Sequence, residues 1–436
     1  MTVTDHIAVA AGPAPPQVAP SPAAASLRLR FVGDSRDFRR LMVRGNALQA
    51  VTLGLYRFWL FSDMRRFLWA GVELDDENFE YTGTALELLT GFMRALGLLI
   101  PVNMALFYAL LSVGTLGQST IMFVVLYGFG QFGTFRARGY RLTRTVLRGL
   151  RFHQTGSGII FALRAILWWI VVFGTIGLAY PFMMASQERY RMGHTFFGDA
   201  GGRFEGSAWR LFWRGILMWI VVVAPLAYAL EQAREKIDWT AIQSLLASKN
   251  LQTVIDGAQQ IRGVEEAGPP AALALVWSIL SGLFLFPAFA AMVMRWWLGG
   301  VRIGGAAVAS DLRMRDFYRA FIRCLLYLLG FSIAFSVIGG FAASTIIGAL
   351  SGAIDFSVTS TPRDAILAGG GIIAYVIYVL GCSTIYQVVV RLRIWQLAVE
   401  SLVVSGLAAL ENVQARPAKA TALGEGLADA LGTGSL

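Results

Sequence analysis

Side chains that could do chemistry are scarce in this chain. Its 436 residues include three histidines and two cysteines, and no histidine pair stands at metal-ligand spacing. Cys324 and Cys382 both fall in apolar stretches, so no disulfide framework is implied and neither has a metal-ligand neighbour. A phosphate-cradling loop of the Walker type, a Gly-x-Ser-x-Gly elbow and a Gly-x-Gly-x-x-Gly turn after a strand are all missing. The expectation is therefore a protein that is not an enzyme and carries neither cofactor nor metal.

Charge is scarce as well. Charged residues make up 15% of the chain, against about 25% in a soluble domain. Hydrophobic residues reach 56% and the mean hydropathy is +0.59, which excludes a soluble domain of this size. The excess of 37 Lys+Arg over 27 Asp+Glu could point to nucleic acid. In a membrane chain it is better explained by cationic loops held beside anionic lipid headgroups. Membrane lipids, and no nucleic acid, are the expected partners.

Residues 1–26 are rich in alanine and proline and have no basic segment followed by an apolar one. They read as a disordered tail rather than a cleaved signal. A membrane domain over 27–400 and a cytoplasmic tail over 401–436 complete the expected organisation. Six segments have the length and apolar content to cross about 30 Å of hydrocarbon: 86–111, 118–135, 207–229, 270–294, 317–350 and 366–390. Two more, 41–61 and 159–185, are interrupted by polar residues, Gly or Pro. If both enter and leave on one side, lysine and arginine collect strongly on that side, and the positive-inside rule then makes it cytoplasmic. A polar stretch at 230–268 is placed on the outer side.

An internal echo organises these segments. Thr52-Leu53-Gly54-Leu55 precedes Arg66-Phe67 and Gly83 at the same spacings by which Thr175-Ile176-Gly177-Leu178 precedes Arg189-Tyr190 and Gly206. Units are expected near 41–111, 117–229, 270–350 and 366–400. Alternation in 72–81 and 146–152 suits small hairpins at the interface. The expected fold is thus an all-α polytopic membrane protein of about six to eight transmembrane helices, with short cytoplasmic β-hairpin-like insertions and an internal repeat.

Basic-aromatic clusters close the apolar helices. Arg65, Arg66, Arg138, Tyr140, Arg141, Arg189, Tyr190, Arg191, Arg295 and Trp296 are the candidate contacts for an anionic lipid or substrate. An arginine beside an aromatic ring is ordinarily an interfacial anchor. The same pair can grip an oxyanion through bidentate contacts, and its recurrence on one face is the one argument for that sharper role over the anchor. A weaker exit is Arg391-Leu392-Arg393-Ile394-Trp395. Arg94, Arg164, Arg214 and Arg323 lie inside apolar helices and read as snorkelling to the near interface. His194 reads as structural, and Asp75-Asp76-Glu77 as a solvated turn.

Thr52-Leu53-Gly54-Leu55-Tyr56 with Trp59, the Arg66-Phe67 exit, Phe79-x-Tyr81-x-Gly83 and the late Gly424-Glu425-Gly426-Leu427-Ala428-Asp429-Ala430 resemble the YjgN-like proteins of bacteria. The similarity runs from about Leu27 to Leu431. It implies a multi-pass protein of the bacterial inner membrane and carries over no catalytic or binding residues. Transporter-like handling of a small or lipidic substrate is the functional expectation, and a scaffold that binds a partner through its loops is the alternative. Both termini are expected in the cytoplasm.

Overall fold

Glycine followed by a short oxygen-bearing side chain starts four of the helices. Asp34 accepts from the Arg36 N–H at 2.8 Å and Thr84 from the Glu87 N–H at 3.3 Å. Ser157 and Ser207 cap the Ile160 and Arg210 N–H groups in the same way. Each cap satisfies an orphan donor and fixes where a strand ends and a helix begins. The computed structural model describes residues 26–111, 115–236, 240, 264–353, 361–410 and 413–415. The expected N-terminal tail, most of the outer polar stretch, most of the C-terminal tail and the Gly424 motif lie outside the described residues.

Helices come in antiparallel pairs. These are α1 (Ser35–Val51) with α2 (Arg57–Ala70), α3 (Ala85–Ala109) with α4 (Thr115–Arg144), and α5 (Gly158–Gly174) with α6 (Tyr180–Gly193). Next come α7 (Ala208–Lys236) with α8 (Val264–Gly300), then α9 (Met314–Ala353) with α10 (Thr361–Tyr386). A π-turn at Gln387–Arg391 continues α10 into α11 (Leu392–Glu400). Each helix packs on its sequence neighbours, and α10 packs back on α1.

Short strands join the pairs: β1 (Leu27–Arg28), β2 (Arg30–Phe31), β3 (Val72–Leu74), β4 (Glu77–Asn78), β5 (Glu80–Tyr81) and β6 (Thr145–Leu147). The others are β7 (Leu150–Gln154), β8 (Thr195–Phe197), β9 (Ala200–Phe204), β10 (Val301–Ile303), β11 (Ala306–Ser310) and β12 (Leu402–Ser405). The strands that enter and leave each helical pair lie side by side, antiparallel: β2 on β3, β5 on β6, β7 on β8, β9 on β10 and β11 on β12. Both ends of every helical hairpin therefore sit at the same end of the molecule.

The all-α expectation is corrected here. Nine strands form one antiparallel sheet in the order β1-β12-β11-β10-β9-β8-β7-β6-β5, and β2-β3-β4 form another. Only Leu29 separates β1 from β2, and only Phe79 separates β4 from β5. The Leu29 N–H donates to the Leu402 carbonyl at 3.2 Å and the Phe79 N–H to the Val72 carbonyl at 3.1 Å, so each pair is one bent strand shared by both sheets. The described strands thus close into a ring with no free edge, which removes the hazard of an unpaired edge. Leu29, Val72, Leu74, Leu147, Phe197, Ala306, Val399 and Val404 fill its interior as one apolar cluster.

Two of the helical hairpins are short and alike. α1 and α5 each have 17 residues, and α2 and α6 each have 14. At 1.5 Å per residue they extend about 25 and 21 Å, less than the depth of the hydrocarbon. The chain turns back at the echoed tripeptides by the same bonds. The Thr52 hydroxyl donates to the Leu48 carbonyl and accepts from the Tyr56 N–H, and the Thr175 hydroxyl does so with Val171 and Ala179. Gly54 (φ +91°) and Gly177 (φ +88°) take the left-handed conformation that ends each first helix.

Five described helices are long and apolar enough to cross a membrane: α3, α7, α8, α9 and the α10–α11 run. The expectation was six to eight, and α4, the 30-residue antiparallel partner of α3, is the long helix that falls short of that hydropathy. The expected crossing at 118–135 falls in α4, where Gly128, Gly130, Gln131 and Gly133 dilute the apolar run before Arg136 and Arg138.

Two outcomes check this architecture. Leu27 and Val404 are register partners, so the Leu27→Cys/Val404→Cys double variant should form a disulfide that shifts the unreduced band on a denaturing gel. Gly54→Ala meets no atom within 4 Å, so its cost is backbone strain alone, about 1 kcal/mol. A lower Tm in detergent should report it.

Candidate functional site

The basic-aromatic exits divide into three groups once folded. In the first, the ring at the end of a returning helix braces the start of its own outgoing partner. Tyr140 is fully buried and donates to Glu87 Oε2 at 2.6 Å, while Arg144 Nη2 reaches Glu87 Oε1 at 2.6 Å. Tyr190 donates to the Ser157 carbonyl at 3.0 Å and accepts from the Ser157 N–H at 3.1 Å. Trp296 Nε1 donates to the Ser207 carbonyl at 2.9 Å. Arg65 is buried and bonds the Tyr81 hydroxyl at 3.2 Å. Tyr140, Tyr190 and Trp296 thus hold the two helices of one pair together at the strand end, and Arg65 links α2 to the strand that leads into the next pair.

A second group faces outward. Arg66, Arg189 and Arg295 are exposed. Arg66 still reaches the Gly83 carbonyl at 3.0 Å. Exposed arginines also stand on every outgoing helix, among them Arg44, Arg94, Arg164, Arg214 and Arg323. Their long stems can lie on apolar surface while the guanidinium reaches the interface.

The third group turns inward. Arg138 and Arg141 of α4, Arg191 of α6 and Arg391 of the π-turn line one cavity of about 590 Å³. All five returning helices contribute to it, α2 through Trp69, α8 through Met294 and Trp297, and α11 through Ile394 and Trp395. Glu188 is the one carboxylate among the lining residues. It is buried, bonds Arg191, and accepts from Trp297 Nε1 at 3.0 Å. Arg391 Nη1 donates to Gln387 Oε1 at 2.9 Å. Four guanidinium groups against one carboxylate leave the cavity cationic.

Two donors at this cavity lack an acceptor. Arg138 Nη2 points to the Met192 sulfur at 3.0 Å, but its Nη1 is buried with no hydrogen-bond partner among the described residues. Trp395 Nε1 is likewise buried and unmatched. Burial pushes the Arg138 guanidinium down to about 10, against the opposing pull of Glu188. At neutral pH it therefore stays charged. Trp69 and Trp395 stack at 5.1 Å between ring centroids. Both also line a smaller apolar cavity of about 260 Å³ inside the strand ring, so the stacked pair stands between the two.

Sequence reasoning found Arg138, Arg141 and Arg191 but missed Trp69, Glu188 and Trp297. The signal for Glu188 was its place one turn before Arg191. Arg391 and Trp395 ranked as a weak exit, because the π-turn that re-aims them leaves no trace in apolar spacing. His194 proves structural: its ring packs at 4.3 Å from Tyr190, with Nδ1 bonded to the Tyr190 carbonyl. Arg148 spans the Asp75–Glu77 turn, reaching Asp75 Oδ2 at 2.7 Å and Glu77 Oε2 at 3.1 Å. No group of His, Cys, Asp and Glu among the described residues could hold a metal ion.

Ring, helices and cavity together define a helical membrane protein built over a closed antiparallel strand ring. The chain belongs to the family described as bacterial protein of unknown function (DUF898), whose profile matches residues 26–430; YjgN-like is another name for this family. No curated protein and no solved structure matches the chain.

Glu87 ties α3 to α4 through two partners. Glu87→Ala strands the buried Tyr140 hydroxyl and the Arg144 guanidinium, and should destabilise the fold by about 2 kcal/mol. Thermal unfolding of the purified variant in detergent measures it.

Proposed function

We propose that this is a protein of the bacterial inner membrane, with its strand ring and both termini in the cytoplasm, that handles a small or lipidic substrate in the arginine–tryptophan cavity without chemical conversion. One observation carries the reading: five helices from separate parts of the chain converge on one cationic cavity. Gathering four half-buried arginines around one carboxylate costs folding energy. A fold that keeps such a cluster gains from it only when something anionic is bound.

Arginine density supports the orientation. The exits and the strand ring hold most of the arginines near the membrane, and the positive-inside rule assigns that end to the cytoplasm. The matched lengths and turns of α1–α2 and α5–α6 support descent of the strand–hairpin–strand units by duplication. The scaffold alternative rests on the hairpins, whose strands pair into one ring, and on the stretch 230–268, most of which lies outside the described residues.

Native mass spectrometry of the protein extracted with its surrounding lipid tests the reading. The wild-type chain should retain a stoichiometric small or lipidic molecule. Thr134→Trp, which fills the cavity from α4, should lose it while keeping the wild-type circular dichroism spectrum.

A further inference from the structure

We infer that the cavity is a binding site for a phosphate-class oxyanion, recognised by Arg138, Arg191 and Arg391 and by the indole N–H of Trp395. This rests on the reading of the cavity as the substrate site and adds the chemistry of the substrate.

Unmet donors are the first reason. Arg138 Nη1 and Trp395 Nε1 are buried at the same cavity, and neither has an acceptor among the described residues. They come from chain segments far apart in sequence, so a single local distortion does not account for both. A buried donor left unmatched is costly, and an oxyanion in the cavity brings acceptors to the two residues that carry them.

Charge is the second. Glu188 is already engaged by Arg191 and Trp297, which leaves the Arg138 and Arg391 guanidiniums with no second carboxylate among the described lining residues. A monoanionic carboxylate would leave half of that charge uncompensated. A phosphate ester carries nearly two negative charges at neutral pH, and its oxygens match the forked donors of arginine.

The third reason is the rest of the wall. Trp69, Trp297, Met294 and Ile394 make much of the lining apolar. The cavity, at about 590 Å³, is far larger than a phosphate and within the range of organic-ligand sites. The phosphate therefore belongs to an organic body. That body is either a lipid or a soluble ester, and the arms of the experiment separate the two.

Binding to the full-length protein is measured by calorimetry in two arms. The soluble arm titrates glycerol 3-phosphate into detergent-solubilised protein. The lipid arm titrates the same protein with short-chain phosphatidic acid, with short-chain phosphatidylcholine as the zwitterionic control. Saturable binding is expected in one arm and none with phosphatidylcholine. Arg138→Gln and Trp395→Phe, the second of which keeps an aromatic ring on Trp69, should each weaken it about tenfold. Glu188→Gln keeps hydrogen-bonding atoms for Trp297 and removes the opposing charge, so it should tighten binding about tenfold.

Failure of both probes to saturate overturns the inference, as does affinity unchanged in Arg138→Gln and Trp395→Phe or weakened in Glu188→Gln. A variant that has lost the wild-type circular dichroism spectrum is replaced by Arg138→Lys, for which a weaker but saturable affinity is expected and an unchanged one overturns the assignment. Should the wild-type chain retain a molecule without phosphate in native mass spectra, the phosphate assignment falls and the substrate site stands.

Discussion

Antiparallel pairing between β1, near the start of the chain, and β12, near its end, is the constraint on which the rest depends. Leu27 lies opposite Val404 and Arg28 opposite Val403. Without that pairing the strands would form an open sheet with two unsatisfied edges, and the helices above them a row. With it, every helical hairpin has both feet on one closed ring, and the returning helices must face each other across a common centre. Strands of only two to five residues hold little on their own. Their stability comes from closure and from the apolar cluster inside the ring.

That geometry sorts the arginines. Outgoing helices expose Arg44, Arg94, Arg164, Arg214 and Arg323 toward the surroundings. Returning helices aim Arg138, Arg141, Arg191 and Arg391 toward the centre. The same residue type thus serves two purposes, and the returning helices carry both, since their Arg66, Arg189 and Arg295 face outward. Outside, a guanidinium can find water or a lipid phosphate at little cost. Inside, it is held by Glu188, by Gln387 or, for one nitrogen of Arg138, by nothing among the described residues.

Much of the local structure was legible in the residues. Thr-x-Gly marked both reversals, because a hydroxyl that bonds back one turn and a glycine at positive φ end a helix in a recognisable way. Alternation around Val72 and Val146 marked hairpins. Exits rich in arginine marked the helix ends, and several of their members reached the cavity. What stayed hidden was non-local. Nothing near Leu27 announces Val404 as its partner, so separate interfacial hairpins were expected where one ring exists. Arg65, Tyr140, Tyr190 and Trp296 had the composition of lipid anchors, and only the packing shows three of them bracing the two helices of a pair and Arg65 reaching the strand that leads into the next. Trp69 and Glu188 belong to the cavity because helices from remote segments converge there, a relation that no spacing within one helix encodes.

The half-depth pairs α1–α2 and α5–α6 have a mechanical consequence. They flank α3–α4 on either side, so past their reversals at Gly54 and Gly177 the far portion of α3–α4 has no lateral support from either neighbour. α7 through α10 are all long and stand together in an unbroken block. The molecule is therefore lopsided: a stiff wall on one flank, and on the other a solitary arm bathed in acyl chains. The base of that arm carries Arg138 and Arg141, so bending it moves two of the cavity's cations relative to Arg391, which follows α10 on the wall.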